Sequence, residues 1–123
     1  MDTAILYPLV GSIWVRLAGV FGALAVGLGA YGAHVVHGDK DLSPHVKTIY
    51  DTGNRYHLIH SLVLLAIPLV AHPCLSGTLI TIGMSLFSGA CYLHVFTGNK
   101  DVTRFAPIGG ITLMIGWLSM AYS

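Results

Sequence analysis

The sequence predicts an all-α integral membrane bundle of four transmembrane helices, with an amphipathic lead-in to the second. Two observations carry this. The chain of 123 residues is 54% hydrophobic and only 9% charged, against roughly 25% charged in a soluble globular protein. Three stretches contain no Asp, Glu, Lys or Arg at all: Leu17–Gly38, Tyr56–Asn99 and Phe105–Ser123. A water-facing surface cannot be built from them, whereas about 20 apolar residues rising ~1.5 Å each cross a hydrocarbon core of ~30 Å. The length suits one domain over residues 1–123.

The first span is expected over about 12–36. Its small residues Gly22, Ala25, Gly29 and Gly32 recur at three- and four-residue steps, and such faces let helices approach closely in lipid. The loop HGDKDLSPHV follows, with Ser43 placed as N-cap and Pro44 as first helical residue. From there a helix can run to about Ala71. It opens amphipathically, with Val46, Ile49, Tyr50 and Gly53 on one side and the ladder Lys47, Asp51, Arg55 on another. His57 and His60 continue the apolar side, away from the charges, and lead into a second span over about 56–72. Pro68 removes a hydrogen bond, so a kink is expected near Leu64. Cys74 and Gly77 are expected to bracket a tight turn after Pro73, dividing the uncharged Tyr56–Asn99 stretch into two spans. The third span, about 75–97, carries Gly77, Thr81, Ser85 and Ser88. After the polar loop TGNKDVTR, Pro107 is expected to start the fourth span, about 105–121, with Gly109, Thr112, Gly116 and Ser119 as its small face.

Four spans place both termini on one side, which carries only Arg16. The opposite side carries Lys40, Lys47, Arg55, Lys100 and Arg104. The excess of positive charge orients the two polar loops toward the cytoplasm or its equivalent, the mitochondrial matrix. A net charge near +1 with no basic stripe argues against a nucleic-acid partner. Cys74 and Cys91 have neither a CxxC spacing nor a placement that suits a disulfide. The start, MDTAILYPLVGSIWVR, has no basic n-region of a secretory signal and is not an Arg-rich transit peptide, so entry into an organelle would use internal signals.

The motifs GLGAYGAH, YDTGNRYHLIHSLVLLAIP, LFSGACYLHVFTG and APIGGITLMIGWL, in that order over about Leu17–Ala121, resemble one family. It is the small bacterial and eukaryotic membrane family known as domain of unknown function 423, whose animal members are called transmembrane protein 256. The RYHLIHSL form and the loop lengths are closest to the animal members, which are assigned to mitochondria. The resemblance implies a four-helix membrane protein with no established enzymatic activity and no catalytic residues to carry over. The family's recurring residues correspond to His34, His57, His60, Gly98, Pro107, Gly109 and Gly110, with roles left open. The first eleven or so residues extend beyond the family core, with no role assigned.

Histidines are the notable polar groups. His34–His37 and His57–His60 both have HxxH spacing, and His94 lies near the end of the third span. Imidazole binds zinc, copper, iron and haem, so a metal or haem between helices is one reading. A proton or solute path is another, although such paths usually carry Asp, Glu or Lys within the membrane. A lipid headgroup or quinone held by Tyr31, Tyr50, Tyr56 and the histidines is a third. Catalysis by Ser61, Ser85 or Cys91 with His57 as base lacks a visible acidic orienter. The favoured reading is structural: His34, His57, His60, His94 and Tyr56 form a polar seam between helices, and Gly22, Gly29, Gly32, Gly109 and Gly116 pack them. Hydrogen bonds of this kind average ~0.6 kcal/mol in membranes, and an unpaired polar group in hydrocarbon costs more.

The chain is therefore expected to be a non-catalytic accessory or structural subunit of a mitochondrial inner-membrane, respiratory-chain assembly. No cofactor or metal is assigned, and the expected partners are the lipid bilayer and other membrane subunits. The alternative is a histidine-lined carrier of a small molecule, proton or metal, or a ligand-binding membrane protein.

Overall fold

Ser12 opens the first helix in extended backbone, and its side chain accepts a hydrogen bond from the Trp14 N–H at 3.2 Å. The computed structural model describes residues 12–122; the extension over residues 1–11 lies outside them. Helix α1 spans Ile13–Tyr31 and continues through a wider π turn, Gly32–Val36. There the His37 N–H reaches the Gly32 carbonyl at 2.9 Å, one residue further back than an α-helix would.

Helix α2 spans Pro44–Ala66, with Ser43 capping the Val46 N–H at 3.2 Å and Pro44 in the first turn, as the sequence predicts. It does not kink and continue to Ala71. It ends at Ala66 in a 3₁₀ turn, Ile67–Leu69, and Val70 is extended. The cause is Pro68, which has no N–H to give to the Leu64 carbonyl. The Ile67 N–H takes that carbonyl instead, and the tighter turn terminates the helix.

Helix α3 begins at Pro73 and spans Pro73–Thr97. Cys74 and Gly77 are thus helical rather than the brackets of a turn, because Pro73 with its fixed φ is itself a favourable first helical residue. The α3 helix stops at Gly98, whose φ of 69° is left-handed and whose N–H caps the His94 carbonyl at 2.9 Å. A 3₁₀ turn, Lys100–Arg104, leads into helix α4, Phe105–Ala121. Pro107 sits within its first turn, where its missing N–H costs nothing.

No strand occurs among the described residues. The helices alternate in direction. Tyr31, Tyr50 and Phe96 meet at the end that carries both polar loops, and Trp14 meets Gly77 at the other. Helix α2 packs on α1 and α3, and α3 packs most extensively on α4. Among the described residues, three segments are long and apolar enough to cross a membrane: Ile13–Val36, Pro73–Thr97 and Lys100–Ala121. Helix α2 is not among them, since Lys47, Asp51 and Arg55 load its first turns with charge.

Two apolar clusters sit at opposite ends. Leu64, Ile67, Ile80, Met84 and Leu113 form the larger one. Val36, Tyr50 and Tyr92 form the smaller one beside the loops. Glycines set the helix spacing. A Cβ on Gly32 would lie 2.5 Å from the Tyr50 ring, and one on Gly29 would lie 3.0 Å from Asn54 Oδ1. Gly109 crosses α3 backbone to backbone, and Gly116 lies against Ile80. Gly22 does not pack: nothing lies within 4 Å of where its Cβ would be. The contact face of α1 runs through Ala18, Phe21 and Ala25, and Gly22 is one step round the helix from it. Gly53, Gly77 and Gly83 also sit at close approaches, where a Cβ would lie 2.5 Å from Cys91 Cβ, 2.5 Å from the Trp14 ring and 2.8 Å from Leu113.

Candidate functional site: a polar seam between the helices

Polar side chains bond between the helices, and they are not the set that the sequence singles out. Between the two apolar clusters, α2 presents Tyr50, Asn54, His57 and Ser61 at helical steps toward α1 and α3. The Tyr50 hydroxyl donates to the Leu28 carbonyl at 2.5 Å, and Asn54 Nδ2 donates to the Ala25 carbonyl at 2.9 Å. Both bonds tie α2 to α1. Asn54 Nδ2 also donates to the Tyr92 hydroxyl at 3.1 Å, and that hydroxyl lies 2.9 Å from His57 Nδ1. Ser88 Oγ donates to the Gly53 carbonyl at 2.7 Å. These bonds tie α2 to α3.

The donors and acceptors set the protonation pattern. Asn54 occupies a lone pair of Tyr92, so the Tyr92 proton is used only when it is given to His57 Nδ1. His57 then carries its proton on Nε2, which faces the Phe21 backbone without completing a hydrogen bond. His60 is fully engaged. Trp117 Nε1 can only donate, and it reaches His60 Nε2 at 3.0 Å; His60 Nδ1 therefore bears the proton and donates to the Tyr56 carbonyl at 2.6 Å. An imidazolium would set N–H against N–H at Trp117, so this arrangement holds the neutral ring. His60 thus ties α2 to α4, about 60° round the helix from His57.

The other predicted members fare differently. Tyr56 contributes its carbonyl to His60 and stacks its ring on Phe87 with centroids 4.6 Å apart. His94 is buried beside the α3 cap, its Nδ1 lying 3.4 Å from the Asn99 carbonyl. His34 is not in the seam: it sits on the exposed side of the π turn, because the wider turn directs Gly32 and Val36 inward in its place. Its HxxH partner, His37, pairs instead with Asp51 at 2.8 Å on the surface. These histidines therefore do not converge on one site, and no group of three or more His, Cys, Asp or Glu side chains is placed to share a metal ion among the described residues. None of the candidate nucleophiles bonds to an imidazole. Ser61 Oγ donates to the His57 carbonyl and Ser85 Oγ to the Thr81 carbonyl, while Cys91 lies under Gly53.

Asn54, Ser88, Tyr92 and Trp117 are the seam residues that the sequence reading missed. The signal for Asn54 was present, since stepping by helical period from Tyr50 to His57 passes through it. Tyr92 and Trp117 gave no such signal, because an aromatic residue in an apolar run looks the same whether its polar tip is used or not.

An apolar helical bundle with internal hydrogen bonding and long apolar helices is an integral membrane protein. The comparisons give its family. A family described as "Protein of unknown function (DUF423)" matches residues 28–110. The chain is 34% identical over 119 residues to a UPF0382 membrane protein of Schizosaccharomyces pombe, covering 89% of this chain and 98% of that one. It is 33% identical to a UPF0382 membrane protein of Haemophilus influenzae, over 89% of this chain and 90% of that one. It is 32% identical to one from Staphylococcus aureus, over 88% and 91%. No solved structure matches. The chain belongs to the DUF423 family of membrane proteins, as its motifs led one to expect.

Proposed function

We propose that this protein is a non-catalytic, four-span accessory subunit that packs against other membrane proteins, with the mitochondrial inner membrane and a respiratory-chain assembly as its host. The observation that carries the reading is how the internal polar groups are used. Tyr50, Asn54, His60, Ser61, Ser88 and Trp117 all bond to neighbouring helices or to their own backbone. Such a network fixes helix register and leaves little for chemistry. The crossing of α2 is supported by its uncharged half from Tyr56 onward and by the location of both polar loops at one end of the bundle. The five Lys and Arg residues near those loops favour a matrix-facing orientation. Resemblance to the animal members supports the host membrane, and bacterial relatives fit it because the matrix corresponds to their cytoplasm.

The test is purification in gentle detergent at native stoichiometry, with identification of what co-purifies. A large assembly containing the chain is the expected result. A lone bundle carrying a metal, haem or quinone would refute the accessory role and favour the carrier or ligand-binding alternative. One observation favours that second reading: His57 Nε2 has no hydrogen-bond partner among the described residues, and His57 lines a groove of about 180 Å³ between α1 and α3.

A further inference from the structure

Helices α2 and α4 hardly touch beyond the Trp117–His60 hydrogen bond, and the gap between them is a long groove. Its loop-end part, about 250 Å³, lies between Thr48 and Thr52 of α2 and Thr103 and Ala106 leading into α4, over a floor of α3. Its inner part, about 310 Å³, lies between Ile59 of α2 and Gly110 and Met114 of α4. From Thr48 to His60 the α2 wall is ~18 Å long. The walls are almost wholly apolar, and the two parts are pinched apart where Tyr56 stacks on Phe87. A flexible chain can follow such a course, whereas a straight helix cannot.

Arg55 stands at the junction of the two parts. It lies one turn beyond Thr52 and one turn before Ile59, so it is on the lip of the α2 wall. It is exposed and makes no ion pair among the described residues, where the only one is His37 with Asp51. At the edge of the uncharged stretch that begins at Tyr56, an arginine is stabilised by a counter-charge or by a route to the headgroups. Its planar fork of donors matches a phosphate. The same end of the bundle carries Lys47, Lys100 and Arg104, which draws anionic lipid to that face.

We propose that the α2/α4 groove holds one acyl chain of an anionic phospholipid, whose phosphate pairs with Arg55. This goes beyond the accessory reading and does not depend on it.

The full chain, purified in mild detergent, is examined by native mass spectrometry with added phosphatidylglycerol or phosphatidylcholine. The wild type should retain phosphatidylglycerol about tenfold better, the order expected of one charge-assisted contact. Arg55→Gln should abolish that preference without changing the melting temperature, since the side chain is exposed. Gly110→Leu should weaken retention of both lipids by filling the inner groove, where a Cβ meets only Phe87 Cδ2 at 3.8 Å. Should Gly110→Leu lower the melting temperature, Arg55→Gln alone decides. Equal retention of the two lipids by the wild type, or an unchanged preference in Arg55→Gln, overturns the proposal. So does crosslinking from Ala106→Cys to another polypeptide, or to a second copy, with no phosphatidylglycerol retained. The readout uses the isolated chain, so absence of a co-purifying assembly would count against the accessory role and leave this result intact.

Discussion

Gly109 and Gly110 are adjacent in sequence, yet a methyl group should act in opposite directions at the two positions. At Gly109 the new Cβ would stand 2.8 Å from the Gly83 carbonyl oxygen, 2.9 Å from Phe87 Cα and closer still to Phe87 N. All three are backbone atoms, so no rotamer change relieves the clash. Helices α3 and α4 must part by roughly half an ångström or more before ordinary contact is restored. Overpacking of this kind costs about 1–3 kcal/mol. Parting the helices also strains the Ser76–Ser119 hydrogen bond of 2.7 Å, worth ~0.6 kcal/mol in a membrane setting. Alanine's better helix propensity returns about 1 kcal/mol. The net expectation for Gly109→Ala is a loss of about 0.5–2.5 kcal/mol. At Gly110 the Cβ meets only Phe87 Cδ2 at 3.8 Å, so Gly110→Ala should be neutral or up to about 1 kcal/mol stabilising. Reversible unfolding in mixed micelles, titrated with SDS and followed by circular dichroism, gives both values. Equal shifts for the two variants, or a Gly109→Ala protein as stable as the wild type, would refute the claim that backbone contact sets this interface.

Three further outcomes follow from the seam and the topology. Tyr92→Phe removes the hydroxyl that links Asn54 to His57, and it should cost about 1–2 kcal/mol in the same unfolding assay; no change would show that the link is idle. His60→Leu leaves the Trp117 N–H without its acceptor and should cost about 1–3 kcal/mol; adding Trp117→Phe should recover part of that loss, and strictly additive effects would deny the α2–α4 bond. In membranes, Cys residues placed at Ser43 and Thr103 should label from one side and the native, exposed Cys74 from the other; labelling of all three from one side would exclude four crossings.

Much of the fold was legible because its determinants are local. Uncharged stretches, Ser43 before Pro44 and the polar loops are all read from a few neighbouring residues. The misreadings share a cause: two local rules competed and geometry chose between them. Pro68 could kink a helix or end one, and the outcome turned on whether Leu64 found another donor, which Ile67 supplied. Pro73 could follow a turn or start a helix, and it starts one. Gly22 and Gly29 share a small-residue pattern, yet only Gly29 meets a neighbour, because the line of contact between two crossing helices touches only part of any such face.

The seam was legible only in part, for a reason that also explains its position. The sequence shows that His57 and His60 lie on the inward side of α2, but three residues on a helix are still ~60° short of a full turn, and that offset divides them. His57 turns to Tyr92 on α3, and His60 turns to Trp117 on α4. One helix thereby carries hydrogen bonds to all three others, since Tyr50 and Asn54 already reach α1. This is also the helix whose hydropathy falls short of a membrane span. The polar groups that lower its hydropathy are spent on these bonds to neighbouring helices, which is how α2 keeps them within an apolar bundle.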